Sequence, residues 1–310
     1  MSLFLVTGGA GFIGSHLVEE LLRQGDRVRV LDNFATGKRE NLAPFADRIE
    51  LVEGDLRSYH IVREAVQGVE YVLHQGALPS VPRSIVDPIT TNEVNVGGTL
   101  NILDAAHDAG VERVVYASSS SVYGANQEVP KREDMRPLPI SPYAVSKLCG
   151  ENYCHVFSRT YGLETVALRY FNVFGPRQDP QSAYAAFIPR FIRGMMSGQP
   201  LVVHGDGSQS RDFTYVSNVV QANLLAVRAQ GVSGEVFNVA GGVSLSLNEV
   251  IGHLRRLLGC QGNIAYGPSR PGDVPHSLAD IGRARSRLGY EPGAPAAEGL
   301  ERVVAWYRQG

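Results

Sequence analysis

Hydrophobic residues in the first half of the chain fall in short unbroken runs, each closed by glycine or an acid and followed by a polar stretch. "LFLVTGG" reads as a buried strand entering a tight turn, and "FIGSHLVEELLRQG" spaces its apolar positions along one helix face before a glycine stop. "DRVRVLD" predicts a second strand ending at Asp32, "RIELVEGD" a third ending at Asp55, and "VEYVLHQGA" a fourth. A long helical stretch from about Glu93 to Ala109 leads to a fifth, "ERVVYASSS". Repeats of this kind close best as a parallel sheet with helices on both faces.

After a helix begun at Pro142, "LETVALRYFN" predicts another strand, and the pattern then loses its regularity. Residues 177–213 are rich in Gly, Pro, Gln and Arg, as expected of a binding lobe built from loops and short elements. "VSNVVQANLLAVRA" and "EVFNVA" return to helix and strand, and a final helix is expected around residues 296–308.

Composition narrows the function. The 310 residues can bury a substantial core, and 29 basic against 31 acidic residues leave a formal charge of -2. Such balance gives no sign of a nucleic-acid surface, although local basic patches can still meet an anionic small molecule. Cys149, Cys154 and Cys260 lack metal-ligand spacing, and their odd number argues against a disulfide scaffold. They read as buried thiols, and no metal is expected. "MSLFLVTGG" enters a strand without the basic head and long apolar region of a signal peptide, and no run approaches membrane-spanning length. The expectation is a soluble protein of a reducing, cytoplasmic compartment, with neither membrane nor nucleic acid as partner.

"GGAGFIG" sets Gly8, Gly11 and Gly14 between a strand and a helix. Missing side chains let the backbone turn and approach a pyrophosphate, while the helix amides face its negative charge. Asp32, at the end of the next strand, is placed to accept hydrogen bonds from both adenosine ribose hydroxyls, and its charge would repel a ribose phosphate. That favours NAD over NADP. The same glycines also suit a tight turn and helix packing; strand, helix and Asp32 together favour the dinucleotide. Asp55 and Leu56 are placed to border adenine, with Asp55 equally readable as a helix cap. The expected fold class is α/β: a Rossmann-type doubly wound parallel sheet with a smaller, partly interleaved C-terminal substrate lobe. On this reading residues 1–170, with 214–243 returning to them, bind NAD, and residues 171–213 and 244–310 form the lobe.

Two further stretches carry chemistry. In "SPYAVSK" a helix begun at Pro142 puts Tyr143 and Lys147 on one face. There Lys147, with a positive nicotinamide, would lower the pKa of Tyr143 so that its phenolate takes a proton from a substrate hydroxyl, and Lys147 would also bind the nicotinamide ribose. The run Ser118, Ser119, Ser120 and Ser121 ends the fifth strand, where a hydroxyl reaches the ligand crevice; Ser119 would hold the reacting oxygen. A single serine there is also an ordinary turn hydrogen-bonder, and a Tyr–Lys pair alone an ordinary helix pair.

Taken together, "TGGAGFIG", Asp32, the serine-rich strand end and Tyr143-x-x-x-Lys147 resemble the extended short-chain dehydrogenase/reductase superfamily. Within it "SSSSVYG", "LRYFNVFGPRQDP", "YAAFIPRFI", "GDGSQSRDFTYV" and "RPGDVPHSLAD" resemble the UDP-hexose 4-epimerases, especially those accepting N-acetylated sugars, over essentially the whole chain. The resemblance implies NAD as cofactor, acid–base roles for Ser119, Tyr143 and Lys147, and a homodimer made through helices beside the nucleotide domain. It extends the expected cofactor contacts to Phe12, Ile13, Asn33, Gly37, Gln75, Ala77 and Tyr170. Tyr143 would take the proton of the sugar 4-hydroxyl while C4 gives its hydride to NAD. The 4-keto sugar would then turn over and receive the same hydride on its other face.

Arg190, Arg193, Arg211 and Arg270 are candidate anion ligands from their positions in the irregular segment, and each also reads as a surface arginine. The resemblance makes Arg211 and Arg270 clamps for the sugar-nucleotide pyrophosphate, since forked cations suit phosphate oxygens, and Asn172 an amide beside it. It puts Ala186 and Phe187 along uridine, Val202 and His204 beside base and ribose, and Asp273 on the ribose hydroxyls. Ser80, Arg83 and Ser120 are further polar candidates near the sugar. Ser277 matches a position where a bulky tyrosine narrows the sugar pocket in relatives, so a serine leaves room for a 2-acetamido group. The chain reads "QGALPSVPRS", in which Leu78 departs from a simpler small-residue turn.

Three rivals remain. A sugar-nucleotide dehydratase shares the tyrosine, lysine and NAD, but its pattern adds an acidic pair where this chain has Ser120 and Ser121. A UDP-uronate 4-epimerase is closer, because Arg83 or Arg190 could meet a sugar carboxylate. A noncatalytic NAD-binding regulator would bind nucleotide without isomer interconversion.

Overall fold

In the computed structural model, which describes residues 1–179, 187–268 and 276–309, strand β1 (Leu3–Thr7) is buried along its whole length. Its side chains alternate between two cores, Phe4 and Val6 on one face and Leu3 and Leu5 on the other. Helix α1 (Phe12–Arg23) turns Leu17, Val18 and Leu21 onto the first face. Next come β2 (Arg27–Asp32), β3 (Ile49–Glu53), α2 (Tyr59–Ala65) and β4 (Tyr71–His74). Helices α3 (Val81–Val86), α4 (Pro88–Asn92) and α5 (Gly98–Asp108) lead to β5 (Arg113–Ser119), α6 (Pro142–Val156) and β6 (Glu164–Tyr170). The second face is covered by α2, α5 and α6 through Val62, Ile102, Leu103 and Cys154.

Past β6 the elements shorten: β7 (Val173–Phe174), α7 (Phe187–Ser197), β8 (Leu201–His204), β9 (Ser210–Asp212) and β10 (Thr214–Tyr215). Helix α8 (Val216–Arg228) then packs Val219, Ala222 and Ala226 back onto the first face, and β11 (Glu235–Val239) pairs with β6. The chain closes with β12 (Ser244–Ser246), α9 (Leu247–Leu258), β13 (Ile264–Gly267), β14 (His276–Ser277), α10 (Gly282–Leu288) and α11 (Ala296–Tyr307). A third core of Phe174, Phe191, Leu201, Phe213, Val250 and Val303 joins α7, α9 and α11 to the short strands. Ile281, Ala284 and Leu288 instead pack with the sheet.

The main sheet has seven parallel strands in the order β11-β6-β5-β4-β1-β2-β3. The chain winds outward from β1 to β3, then from β4 in the other direction, so the carboxyl ends of β1 and β4 flank the topological switch where ligands bind. The third strand ends at Glu53, short of the expected Asp55. The helix expected from Glu93 to Ala109 instead opens on a π turn, Glu93–Gly97, that joins α4 to α5 and seats the buried side chain of Asn95 against Leu78 and Ser146.

Candidate active site

A cleft of about 1190 Å³ runs along the carboxyl ends of the strands. Its floor is the turn after β1. Gly8 has φ +67°, and a Cβ there would come within 2.8 Å of the Gly76 backbone; a Cβ at Gly14 would land on the Gly8 carbonyl. The first turn of α1 carries neither an acid nor a side-chain cap, and Gly11, Phe12, Ile13 and Gly14 line the cleft. This bare, positively polarised helix start fits a pyrophosphate, and thus NAD. Asp32 lies at the rim, accepting from the Ala10 amide at 2.9 Å and the Phe34 amide at 2.8 Å. Burial pushes its carboxyl above the usual range, opposed by those amides.

The remaining expected cofactor residues, Asn33, Gly37, Asp55, Leu56, Gln75, Ala77, Tyr143, Lys147 and Tyr170, line the same cleft. Asp55 is not the cap of α2, a position held by Ser58. It accepts from Arg57 and from Asn33 Nδ2, and its hydrogen bonds to Arg57 hold it down at about 2. Sequence reasoning missed Asn223, which joins Gln75 and Tyr170 beneath the cleft; its Nδ2 donates to the Tyr170 hydroxyl at 2.8 Å. It also missed the Lys38–Asp179 ion pair at 3.2 Å, formed by two cleft-lining charges. Neither had a local signal, because each depends on segments brought together only by the fold.

The Ser141 hydroxyl caps α6, accepting from the Ala144 amide at 3.2 Å, and Pro142 starts the first turn. The free Tyr143 amide donates to Ser84 Oγ at 3.1 Å. That geometry presents Tyr143 and Lys147 on one face, with Lys147 Nζ 6.0 Å from the Tyr143 ring centre and donating to the Ala117 carbonyl at 2.8 Å. Burial draws Lys147 down to about 8, opposed by Cys154 and Glu151. Burial holds the Tyr143 phenol above its ordinary value, opposed by a hydrogen bond with Ser119. The lysine itself is turned onto the strand end.

The four serines divide the work. Ser118 turns inward to Glu151, Ser119 faces Tyr143 and accepts from the Ser121 amide at 3.2 Å, and Ser120 and Ser121 line the cleft. The Ser121 hydroxyl is buried without a hydrogen-bond partner among the described residues. Ser80 caps α3 by accepting from the Arg83 amide at 3.1 Å, and both residues line the same wall.

Farther along, Asn172, Arg211 and Ser277 extend the cleft; the parallel pairing of β14 with β9 sets Ser277 opposite Arg211. An adjoining hollow of about 280 Å³ is lined by Asn172, Phe187, Arg190, Val202, His204 and Arg211. Phe174, Phe213 and Leu247 complete its apolar wall, and Phe187 stacks on Phe191 at 4.0 Å between ring centres. Arg193, also on α7, is not part of either lining. Ala186, Arg270 and Asp273 lie outside the described residues. Asp212, beside Arg211, is fully buried and accepts from the amides of Gly241, Gly242 and Ala279; burial lifts it to about 6.

Fold and cleft define a Rossmann-type α/β protein whose glycine turn opens onto a long cleft at the carboxyl ends of the strands, with a second hollow adjoining it. Residues 4–240 match the NAD dependent epimerase/dehydratase family, and the chain belongs to it. NAD is its cofactor. The UDP-glucose 4-epimerase of Mycolicibacterium smegmatis is 39% identical over 308 residues, covering 98% of each chain. Among solved structures, the UDP-N-acetylglucosamine 4-epimerase of Methanobrevibacter ruminantium in complex with UDP-N-acetylmuramic acid superposes with a TM-score of 0.94 at 39% identity, covering 99% of this chain and 98% of that one. The UDP-glucuronic acid 4-epimerase of Bacillus cereus, in complex with UDP-glucuronic acid and NAD, has a TM-score of 0.91 at 33% identity and covers 99% of both chains. Among the described residues no helix is long and apolar enough to cross a membrane, and no cluster of His, Cys, Asp and Glu is arranged to hold a metal ion.

Proposed function

We propose that this chain interconverts UDP-hexoses at C4, UDP-glucose with UDP-galactose and UDP-N-acetylglucosamine with UDP-N-acetylgalactosamine, through a transient 4-keto sugar. The chain is an NAD-dependent UDP-sugar 4-epimerase, an isomerase; the choice among sugars is the part proposed. The observation that carries it is one cleft lined together by the glycine turn, Ser119, Tyr143, Lys147, Arg211 and Ser277.

NAD, when bound, would supply the acceptor and donor of hydride at the sugar C4. Tyr143 accepts the 4-hydroxyl proton and later returns it, Ser119 holds the reacting oxygen, and Lys147 stabilises the phenolate and binds the ribose hydroxyls. Arg211 and Asn172, with Arg270, grip the phosphates. Phe187, Val202 and His204, with Ala186 and Asp273, hold the uridine. Anchoring the nucleotide leaves the sugar free to present either face, and the small Ser277 leaves space for an N-acetyl group.

A second reading has its own support. Arg83 lines the cleft beside Ser80, and although its charge already acts on the Asp87 carboxylate, a uronate carboxylate would meet a cation there. Incubation of the purified, NAD-loaded protein with UDP-glucose, UDP-N-acetylglucosamine and UDP-glucuronate, followed by product chromatography, separates the two. Conversion of both neutral sugars is expected; turnover of UDP-glucuronate alone would defeat the assignment.

We further propose a homodimer. Val145, Cys149, Asn152 and Val156 form one stripe on the outer face of α6, where Val145 is 46% and Val156 44% exposed, and Ile89 on neighbouring α4 is 72% exposed. Three unpaired thiols suit the reducing, cytoplasmic setting proposed for it.

A further inference from the structure

Glu151 lies one helical turn beyond Lys147 on the buried face of α6. Arg169 on β6 grips its carboxylate with a fork, Nε to Oε1 at 2.9 Å and Nη2 to Oε2 at 2.8 Å, and each of these side chains is only 4% exposed. Ser118, the register partner of Arg169 on β5, donates to the same carboxylate. The guanidinium lies 4.7 Å over the Tyr123 ring, while its Nη1 is buried without a hydrogen-bond partner among the described residues. A buried ion pair with an unsatisfied nitrogen is a poor way to stabilise a fold, because desolvation offsets most of the attraction and apolar side chains of similar size do as well.

What the pair adds is a fixed anion beneath the lysine. Lys147 is faced by Tyr143, Glu151 and Cys154 on its own helix, Tyr116 on β5 with its ring centre 5.0 Å away, His74 on β4, and Arg169 behind Glu151. Burial pushes the Cys154 thiol and the Tyr116 phenol well up and draws His74 down to about 3, so all three are uncharged at neutral pH. Glu151 is left as the anion among them. Lys147 Nζ is fixed to the carbonyl of Ala117, the residue just before Ser118, so one strand end fastens both side chains.

We propose that Glu151, clamped by Ser118 and Arg169, is a positioning residue that locks the rotation of α6 on the sheet and keeps the Lys147 ammonium charged beside Tyr143. The inference rests on the acid–base reading of Tyr143 and Lys147, yet it can be tested apart from turnover. The chain has only three lysines, Lys38, Lys131 and Lys147. Lysine labelled with 13C at Cε therefore gives three resonances to follow by NMR in the NAD-loaded protein, with Lys147 assigned through Lys147→Met. Glu151→Gln should move the Lys147 titration to lower pH and reduce kcat for UDP-glucose about tenfold at pH 7, with KM changed less than about twofold. Glu151→Gln/Arg169→Met should recover the melting temperature while titration and kcat stay displaced; if the single variant does not fold, this pair carries the comparison.

An unchanged Lys147 midpoint, or a double variant in which midpoint and turnover recover with stability, would overturn the proposal. Failure of the wild-type protein to convert any UDP-hexose would count against the substrate reading alone, because the lysine titration still decides the role of Glu151.

Discussion

Tyr143 and Lys147 are moved in opposite directions by one cause. Enclosure disfavours the phenolate, raising the tyrosine, and disfavours the ammonium, lowering the lysine to about 8. Because the lysine sits below its ordinary 10.5, its buried charge costs stability below pH 8, and that cost is relieved as pH rises toward 10.5. Turnover should run the other way: kcat at saturating sugar nucleotide is expected to fall above about pH 8 as the ammonium is lost, and a flat rate from pH 7 to 10 would exclude this lysine as the charged partner. Tyr143→Phe should cut kcat roughly 10²–10⁴-fold with circular dichroism and NAD content unchanged. Ser277→Tyr should reduce kcat/KM for UDP-N-acetylglucosamine at least tenfold more than for UDP-glucose, worth about 1.4 kcal/mol; equal losses on the two substrates would dismiss the size argument. That Tyr143 and Lys147 share one helix face was legible because four-residue helical spacing is a local property. The inward turn of Ser118 was not, since four identical hydroxyls in a row do not reveal which ones the strand's pleat aims at the sheet interior.

Among elements, the turn between β1 and α1 is the most demanding. Gly14 has no room for a methyl group over the Gly8 carbonyl, so Gly14→Ala must push α1 away from the strand. The expected outcome is protein purified with less than about a tenth of the wild-type NAD, read by absorbance after release, with a smaller loss in melting temperature. The inner strands β1, β4, β5 and β6 could be read from the sequence because a largely apolar run has little choice but to be covered on both sides. The π turn at Glu93–Gly97 could not, since what demands it is the reach of Asn95 to Leu78 and Ser146, both distant in sequence. Likewise the wall of Phe174, Phe213 and Leu247 comes from three separate short segments with no shared motif.

At the scale of the whole molecule, the outer stripe of α6, beside the exposed Ile89 of α4, is the surface proposed to meet a second copy. Val156→Glu should convert the proposed dimer to monomer in light scattering coupled to size exclusion while leaving the NAD site intact; a wild-type protein that is monomeric at micromolar concentration would remove that proposal.

Asp212 gives the architecture a further consequence. Next to the arginine proposed to grip the phosphates, it is fastened by Gly241 and Gly242 beyond β11 and by Ala279 beyond β14. A nucleotide held at Arg211 would therefore be one residue from an anchor shared by separate segments, whereas Ser80 and Arg83 belong to a short helix of their own. On the proposed reading, the sugar nucleotide's tether is thus moored to the fold independently of the wall that faces the pyranose.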